Sequence, residues 1–456
     1  MDELNCSRAA VVVCCLLVSL TLASAQSLDF TTNTYTVGAN PCWVAAADLI
    51  GDGSVDLVCA NYGTNTLTIL TNNGSGVFHL KGTLTVGNGP ACVVAADVNG
   101  DGKVDLISAN SATNTLTVWT NKGNAAFALK GTLTVGYGPT SLAAADINGD
   151  GYIDLISANS WDNTLTVLTN NGSGGFESSA TLSTHGVQPT SVVVADINGD
   201  GKPDLVVANF SSGHTGSLVV LTNNGSGGFS LYLSILYSSI NRPAPNCVVA
   251  ADVNGDGQMD LISASPTSAS TILVWTNTSG GNFGLDFAGT PSSYYPFCVT
   301  AADIDGDGSV DLIVANEGNS PTWGHTLTLL TNNGSGGFGS NATLNVGNGP
   351  NCVIAADVNG DGHPDLISAN YGTNTITVLT RVIPVTPSLT VTPTSATHVS
   401  LSWTSQAVGF VLQTNTDLAT TNWGRATSTV STNGSNESTT LTMPSAGKLF
   451  IRMVHP

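Results

Sequence analysis

The sequence predicts an all-β protein, a seven-bladed β-propeller closed by its N-terminal strand and followed by a small C-terminal β-sandwich. Three observations support this prediction. A nine-residue acidic motif occurs seven times at near-regular spacing, each repeat contains four strand-like runs, and the N-terminal segment resembles the fourth run of a repeat. A fixed period indicates a repeat architecture, and four strands per repeat are typical of propeller blades. No helical periodicity is present.

Residues 1–25 predict a secretory signal. The apolar run "AAVVVCCLLVSLTLA" follows Arg8, and "ASA" at residues 23–25 supplies small residues suited to cleavage. No later segment is long and apolar enough to predict a membrane span. We therefore expect an exported protein, secreted or held at the cell surface, from a bacterium.

The N-terminal strand is expected to complete the last blade of the propeller, which we place at residues 27–382. The segment "SLDFTTNTYTVGANP" at 27–41 resembles the fourth-strand segment "GVFHLKGTLTVGNGP" at 76–90, whereas the last repeat ends after its third run, "NTITVLT". Pairing of the two ends closes the ring and removes exposed sheet edges. The four runs of one repeat are "ACVVAAD", "DLISAN", "NTLTVWTN" and "AAFALKGTLTVG". Their alternating residues predict short strands.

The Ala-rich first run suits the innermost strand, near the axis. Five cysteines occupy nearly the same place in it, namely Cys42, Cys92, Cys247, Cys298 and Cys352. We interpret them as small buried hydrophobic residues; disulfides and a thiolate metal site are the alternatives. Trp119 and Trp275 share a third-strand position with Leu70 and Leu168, which indicates core packing.

The acidity of the chain is local. Its net charge is −20, but 22 of the 31 acidic residues lie in the seven motifs. The remainder is neutral, and it has no basic stripe of the kind that nucleic acids require. A nucleic-acid partner is therefore not expected.

The acidic motif begins at Asp48, Asp97, Asp146, Asp196, Asp252, Asp303 and Asp357, and in all but the first copy it reads D-x-[ND]-G-D-G-x-x-D. Oxygen ligands at positions 1, 3, 5 and 9, with a backbone carbonyl at position 7, suit Ca²⁺. A metal-free Asx-rich turn is the alternative. We expect about five to seven structural calcium ions. The predicted ligands are Asp48, Asp52, Asp56; Asp97, Asn99, Asp101, Asp105; Asp146, Asn148, Asp150, Asp154; Asp196, Asn198, Asp200, Asp204; Asp252, Asn254, Asp256, Asp260; Asp303, Asp305, Asp307, Asp311; and Asp357, Asn359, Asp361, Asp365. In the first motif Ile50 offers no oxygen at position 3, so calcium binding there is an open question.

These motifs, placed between two blade strands, resemble the FG-GAP/VCBS repeat family, which includes the integrin α-subunit propeller. The resemblance covers roughly residues 27–382. It implies a seven-bladed propeller with calcium in the acidic loops, and it says little about activity, because the family includes adhesins, lectins and some enzymes.

Differences in length between blades indicate where a ligand binds. The acidic loops all have nine residues, whereas the connections at the opposite end of the blades vary, and variable loops on a rigid scaffold commonly carry binding sites. Aromatic and polar residues collect there: Tyr62, Tyr137, Trp161 with Asp162, Phe210 with His214, Tyr294, Tyr295, Glu317, Trp323 with His325, and Tyr371. They suit stacking on a sugar or anchoring of a protein. Packing of loop against loop is the alternative.

The predicted function is non-catalytic binding of a carbohydrate or an extracellular protein on this end of the propeller. The alternatives are a lyase-like enzyme acting on extracellular polysaccharide and a passive surface or matrix component. No catalytic residues are assigned.

Residues 388–456 predict a separate small β-sandwich. A Pro-containing linker, "VIPVTPSLTVTP", precedes them, and their strand-like runs contain no acidic motif. The sequence "LSW…GFVLQTNTDL…NW…LFIRM" loosely resembles the fibronectin type III-like tail modules of secreted bacterial proteins. This resemblance implies an accessory binding or attachment role.

Overall fold

The structure is a computed structural model. It describes residues 28–211, 216–236, 244–266, 271–278, 281–289, 295–319, 322–383, 390–395, 398–404, 411–415, 424–425, 431–433, 436–442 and 450–454. The predicted signal segment, His214 and Tyr294 lie outside these residues. Contacts divide the chain into two units, Ala25–Arg381 and Val382–Pro456.

The first unit contains seven four-stranded antiparallel sheets, which are the seven predicted blades. Blade 1 comprises β2 (Pro41–Ala47), β3 (Asp56–Asn61), β4 (Thr66–Asn72) and β5 (Phe78–Thr85). Blade 2 comprises β6 (Pro90–Ala96), β7 (Asp105–Asn110), β8 (Thr115–Asn121) and β9 (Phe127–Thr134). Blade 3 comprises β10 (Pro139–Ala145), β11 (Asp154–Asn159), β12 (Thr164–Asn170) and β13 (Phe176–Ser183). Blade 4 comprises β14 (Pro189–Ala195), β15 (Asp204–Asn209), β16 (Ser217–Asn223) and β17 (Phe229–Leu236).

The remaining blades repeat this plan. Blade 5 comprises β18 (Cys247–Ala251), β19 (Asp260–Ser265), β20 (Thr271–Asn277) and β21 (Phe283–Gly289). Blade 6 comprises β22 (Pro296–Ala302), β23 (Asp311–Asn319), β24 (Thr322–Asn332) and β25 (Phe338–Asn345). Blade 7 comprises β26 (Pro350–Ala356), β27 (Asp365–Asn370), β28 (Thr375–Val382) and the N-terminal strand β1 (Asp29–Thr36).

The pairing of β1 with β28 confirms that the N-terminal strand closes the ring. The Val37 N–H donates to the Asn374 carbonyl at 3.1 Å and extends this pairing. Tyr35 also packs edge-on against Phe78 of blade 1, with ring centroids 5.6 Å apart. The N-terminal strand is therefore joined to the sheet of blade 7 by hydrogen bonds and to blade 1 by this ring contact.

Within a blade, the burial of a strand depends on its position between the propeller axis and the solvent. The first strands of neighbouring blades contact one another around the complete ring, so they are innermost, as predicted. The second strand is covered on both faces, and all six residues of β7 are buried. The fourth strand is outermost, and β9 alternates between exposed and half-buried residues. The buried residues of β7 include the polar Asp105, Ser108 and Asn110, which are hydrogen-bonded within the blade.

The hydrophobic core lies between blades. Ile69 of blade 1 packs with Val93 and Leu106 of blade 2, and equivalent clusters join the other blades. Trp119 packs against the cluster between blades 1 and 2, but it is only half-buried because its strand adjoins the outer one.

The six described cysteines are free and buried. Burial raises the pKa of Cys42 to about 12. These observations confirm that the five first-strand cysteines act as small apolar residues.

The second unit contains two sheets. One has the order β29 (Thr390–Pro393), β30 (His398–Thr404), β34 (Asn436–Thr442) and β33 (Ser431–Asn433). The other has the order β32 (Gly424–Arg425), β31 (Val411–Asn415) and β35 (Phe450–Val454). The stacking of these sheets as a sandwich stays a prediction. In the described part of the chain, no helix has the length and apolarity needed to cross a membrane.

Candidate metal loops and ligand-binding face

Each acidic loop connects the first strand of a blade to the second, and its backbone wraps around the aspartate at position 1. In blade 2, Asp97 Oδ1 accepts a hydrogen bond from the Gly100 N–H at 2.8 Å, and Oδ2 accepts one from Gly102 at 2.7 Å. Gly100 and Gly102 have φ values of 73° and 79°. Glycine adopts this left-handed conformation without the strain that other residues incur, which explains both glycines of the motif.

The aspartate at position 9 is buried and fixed by the backbone. Asp105 Oδ1 accepts from the Asn121 N–H at 2.7 Å, and Oδ2 accepts from the Val98 N–H at 3.3 Å. Burial raises the pKa of Asp105, and the neighbouring carboxylates of Asp101 and Asp97 raise it further. The loop thus collects negative charge that is only partly neutralised by backbone N–H groups, which is the electrostatic condition that favours a bound cation.

The loop of blade 6 provides a geometric test of calcium fit. Carboxylate oxygens of Asp303, Asp305 and Asp311 lie within 4.8 Å of one another. Two oxygens that bind one Ca²⁺ at about 2.3–2.6 Å can be up to about 5 Å apart. The three residues at positions 1, 3 and 9 therefore fit a common calcium ion.

In the loop of blade 2, the asparagine at position 3 bonds to the aspartate at position 9 through its amide nitrogen. In blade 2, Asn99 Oδ1 accepts from the Asp101 N–H and Nδ2 donates to Asp105 Oδ2 at 2.8 Å. In blade 6, Asp305 uses Oδ1 for the equivalent backbone bond, from Asp307, so its Oδ2 stays available. A half-turn of the Asn99 amide would present its oxygen to the site.

Blade 1 differs from the others because Ile50 packs against the hydrophobic cluster between blades 1 and 2. Its side chain supplies no ligand atom, and the loop offers only Asp48, Asp52 and Asp56. All the predicted ligand residues lie in these loops, in the same arrangement from blade to blade: position 1 is half-buried, position 5 is exposed, and position 9 is buried. Calcium at the loops stays a prediction.

An asparagine that was not among the predicted site residues ends the third strand and joins neighbouring blades. Asn170 Nδ2 donates to the Ile153 carbonyl of its own blade and to the Val98 carbonyl in the acidic loop of the preceding blade, both at 2.8 Å. We call this pair of bonds the asparagine staple. Equivalent donors to the preceding loop are Asn72, Asn121, Asn223, Asn277 and Asn332. The "TN" that recurs at the end of the third strand in six blades was the available signal.

The opposite end of the propeller, which we call the ligand face, carries the connections from second to third strands and between blades. In six blades, the residue that follows a second-strand asparagine (Asn61 in blade 1) donates its N–H to a carbonyl of the preceding connection, with distances of 2.8–3.1 Å. These donors are Tyr62, Ser111, Ser160, Phe210, Glu317 and Tyr371. Blade 5 has Pro266 at this position, which has no N–H. The side chains at this position therefore differ from blade to blade, whereas the backbone hydrogen bond is the same in six blades.

Three aromatic residues of this face are well exposed: Tyr62 at 42%, Tyr137 at 61% and Trp161 at 66%. The indole of Trp161 lies on Gly138, where an added Cβ would approach the ring to 2.8 Å. Phe210 and Tyr295 are half-buried, and His325 is exposed. Exposed flat rings on a fixed frame suit contact with a ligand.

The connection of blade 6 is not a loop, contrary to our expectation. Its two strands extend into a longer hairpin, with Gly318 paired to Trp323. Gly318 has a φ of 71°, and its close approach to Gly324 leaves no room for a Cβ. Trp323 is half-buried and packs on Tyr371 of blade 7, with ring centroids 5.9 Å apart.

Glu317 belongs to the same hairpin as Trp323. Its carboxylate accepts a hydrogen bond from Asn351 Nδ2 at 3.2 Å. Burial raises the pKa of Glu317 to about 7, which the Asn351 bond opposes. Burial raises the pKa of Tyr371, and the charges of Cys42, Tyr62 and Glu317 raise it further.

A cavity of about 170 Å³ opens on the axis between the starts of the first strands. All seven blades contribute to its wall: Cys42, Trp43, Tyr62, Ala91, Thr140, Thr190, Ser191, Asn246, Cys247, Phe297, Cys298 and Asn351. Of the predicted ligand-face residues, Tyr62 lines this cavity, and Glu317 bonds to Asn351 of its wall. Trp323 packs on Tyr371 outside the lining, and Trp161 and Phe210 belong to blades 3 and 4.

Comparison with protein families matches the FG-GAP-like repeat over residues 48–108, 97–157, 146–207, 198–263, 252–314 and 303–368. Among solved structures, two crystal structures of BBS1N in complex with ARL6DN, one soaked with lead and one with mercury, share the fold with TM-scores of 0.54 and 0.52. The identities are 12% and 13%, and each alignment covers 77% of this chain and 96% of the other. A comparison with curated protein sequences gave no match.

The low identities to the solved structures support the fold alone. The repeat matches carry more, since they extend over residues 48–368, more than half of the chain, and coincide with the acidic loops and the blades around them. The chain belongs to the FG-GAP-like repeat family.

Proposed function

We propose that this protein is a secreted, calcium-stabilised scaffold that binds a ligand on the face opposite the acidic loops, without catalysis. The observation that carries the proposal is the ring of backbone hydrogen bonds on the ligand face. It fixes the main chain in six blades while the side chains differ from blade to blade. A rigid frame with variable side chains is the usual basis of specific binding.

The calcium part of the proposal rests on charge and geometry. The acidic loops hold 22 carboxylates, and those of blade 6 fit a single ion. When bound, calcium would neutralise the mutual repulsion of the carboxylates. The residues of the chain would hold the loop shape through the glycine turns and the buried aspartate at position 9.

A protein ligand is the first candidate. The similar propeller BBS1N occurs in a complex with ARL6DN, and Trp161 and Tyr62 offer the aromatic anchors typical of protein interfaces. A carbohydrate is the second, because the exposed indole of Trp161 can stack on a sugar ring.

A lyase-like enzyme acting on polysaccharide is favoured by one observation, the raised pKa of Glu317 near an axial cavity. Against it, among the described residues, only Asn351 hydrogen-bonds the Glu317 carboxylate, so no proton-transfer pair is formed. A binding role accounts for the site more simply.

Glycan and extracellular-protein arrays, probed with and without calcium, test the proposal. We expect a ligand whose binding is lost in a Trp161→Ala or Tyr62→Ala variant and retained in a Leu129→Ala variant of the outer strand, where Leu129 is also exposed. Binding that depends on Leu129 and not on the face aromatics would place the ligand elsewhere. Turnover of a polysaccharide would favour the enzyme instead.

A further inference from the structure

The ligand face has a second cavity, which lies between blades 3 and 4 and has a volume of about 680 Å³. This volume is within the range of about 300–1,000 Å³ that is typical of small-molecule sites. The wall includes Trp161 and Asn163 of blade 3, the connection between the two blades at His185–Gln188, and Ser211 of blade 4. We call this cavity the interblade groove.

Gln188 places a side chain where other connections have glycine. Its carbonyl accepts the Phe210 N–H at 2.9 Å, and the equivalent acceptors in three other connections are Gly89, Gly138 and Gly349. All four residues lie in the left-handed region, Gln188 at a φ of 53° and the glycines at 64–66°. This conformation strains residues other than glycine, and such strain concentrates at functional sites. Gln188 therefore has an unfavourable backbone conformation that a role in binding would explain.

Uncharged polar groups line the interblade groove. Asn163 Oδ1 accepts the Gln188 N–H at 2.7 Å, and no partner of the Asn163 Nδ2 or of the Gln188 side-chain amide is seen among the described residues. Ser211 is buried, and its hydroxyl is likewise without a partner there. A buried hydroxyl is normally hydrogen-bonded to the protein or to a bound molecule. The wall thus contains two free side-chain amides and one unpaired hydroxyl.

Trp161 adds an exposed aromatic surface to these groups. It rests on Gly138 but is 66% exposed, and it lines the groove. The lining residues that the structure describes include no aspartate, glutamate, lysine or arginine. Both main-chain groups of Gln188 are already paired, so a peptide cannot bond to them as it does to a free sheet edge. A flat ring beside side-chain amides, without fixed charge, suits the apolar face and the hydroxyl groups of a sugar.

We propose that Trp161, Asn163 and Gln188 bind an uncharged saccharide in the interblade groove. The indole stacks on the sugar ring, and the two amides hydrogen-bond to its hydroxyl groups. A sugar hydroxyl that reaches Ser211 completes the hydrogen bonding of this residue. The proposal rests on the proposed function and deepens it by naming the class of ligand and the two blades that bind it. The saccharide can be a free oligosaccharide or the glycan of a protein.

Calorimetry with the full mature chain and calcium, at mildly alkaline pH, tests the proposal. The probes are the methyl glycosides of glucose, galactose, mannose and N-acetylglucosamine, compared with the apolar peptide N-acetyl-leucyl-valine methylamide. We expect saturable binding of at least one glycoside, with a dissociation constant on the order of 1 mM, and at least about tenfold weaker binding of the peptide. Binding of the peptide alone, or no saturable binding of any glycoside, would overturn the proposal.

Variants locate the site. Gln188→Gly restores the residue of the other connections and removes the left-handed strain, so we expect a melting temperature close to that of the parent and about tenfold weaker glycoside binding. Trp161→Ala should lose binding, whereas Trp161→Phe keeps a ring and should retain part of it. The control is Leu129→Ala, exposed on an outer strand, which should bind as the parent does. Unchanged affinity in either Gln188→Gly or Trp161→Ala would contradict the proposal.

Further comparisons separate the two sources and the two proposals. Equal affinities for free oligosaccharides and for a neutral glycoprotein indicate a free saccharide; much tighter binding of the glycoprotein, lost after enzymatic removal of its glycans, indicates a protein-borne glycan. If an array ligand is a protein without glycans that requires Tyr62 and not Gln188, this proposal fails and the proposed function stands. If neither the glycosides nor any array ligand binds this face, both fail.

Discussion

Arg381 Nη2 donates a hydrogen bond to the Asp305 carbonyl oxygen at 2.8 Å and so joins blade 7 to the acidic loop of blade 6. In the other six blades an asparagine at this position makes the equivalent staple. The loop that Arg381 contacts is also the one with aspartate, not asparagine, at position 3. Burial raises the pKa of Asp305, the neighbouring Asp307 and Asp303 raise it further, and the arginine charge opposes this rise. The extra carboxylate and the arginine therefore compensate each other.

This compensation predicts the effect of Arg381→Asn. The asparagine can form the staple found in the other blades, while the positive charge beside the loop of blade 6 disappears. We expect calcium affinity of that loop to rise, by roughly threefold to tenfold for a charge interaction of about 1 kcal/mol near the surface. Calcium titration of Arg381→Asn against the parent measures this, with Asp305→Asn in the same background as the variant that reverses the gain. Weaker binding in Arg381→Asn would contradict the compensation.

Removal of one staple should destabilise the propeller without changing its charge. Asn170→Ala leaves the Val98 and Ile153 carbonyls without their side-chain donor in a buried place. An unsatisfied buried polar group costs about 1–3 kcal/mol, so we expect a loss of about 2–4 kcal/mol in the free energy of unfolding. Denaturant titration measures it. Asn88→Ala is the control because Asn88 is exposed and no side-chain hydrogen bond of it is seen; a similar loss there would argue against the staple.

The regular repeat allowed the fold to be predicted, whereas the contacts of the asparagine staple could not be predicted from the sequence. Seven copies of one motif set the blade count, and the likeness of 27–41 to a fourth strand predicted closure. Asn170 ends a strand next to an Asn-Gly turn, so its sequence context indicates a turn residue. Its role depends on how one blade lies against the next, which the twist between sheets determines. The sequence shows that asparagine recurs at this position, but it does not show that the side chain bonds to the acidic loop of the preceding blade.

The position of the variable connections could be predicted, whereas their contacts could not. These connections lie at the end of the blades opposite the acidic loops, because antiparallel strands return to the same end every second connection. Ligand binding at this end stays a prediction. The pairing of Glu317 with Asn351 crosses from blade 6 to blade 7 and has no local sequence signal. The hairpin extension that half-buries Trp323 depends on the close passage of Gly318 and Gly324. The sequence shows both glycines, but it does not show that they lie against each other in the hairpin.

Chelation should destabilise the propeller strongly. Without cations, the carboxylates of each loop repel one another, and the buried aspartates at position 9 have raised pKa values, about 6 for Asp311 and Asp365. If each site contributes about 1.4 kcal/mol at tenfold excess calcium, several sites together approach the stability of a typical domain. We expect the melting temperature to fall by tens of degrees in excess chelator and metal analysis to find about five to seven ions per chain. An unchanged melting curve would contradict structural calcium.

The raised pKa of Glu317 predicts that the stability of the parent and that of Glu317→Gln depend differently on pH. Its folded pKa of about 7 exceeds the ordinary value of 4.5 because burial disfavours the charged form. The unfolded chain therefore ionises first as the pH rises, and the contribution of Glu317 to stability falls between about pH 4.5 and pH 7. Glu317→Gln stays neutral, so its melting temperature should gain on that of the parent across this range and then level off. Glu177→Gln, exposed on an outer strand, should run parallel to the parent. A constant difference between Glu317→Gln and the parent would contradict the pKa shift.

Replacement of three tryptophans by alanine should lower the free energy of unfolding by different amounts. Trp161 is 66% exposed and rests on Gly138, so Trp161→Ala should change the free energy of unfolding by no more than about 0.5 kcal/mol. Trp323 is half-buried and packs on Tyr371, so Trp323→Ala should cost about 1–2 kcal/mol, which includes the aromatic pair. Trp119, packed against the cluster between blades 1 and 2, sets the upper reference, and Trp119→Ala should cost about 3 kcal/mol. Denaturant titration of the three variants gives the order. A large loss in Trp161→Ala would mean that this indole serves the fold, and the ligand face would lose its most available aromatic surface.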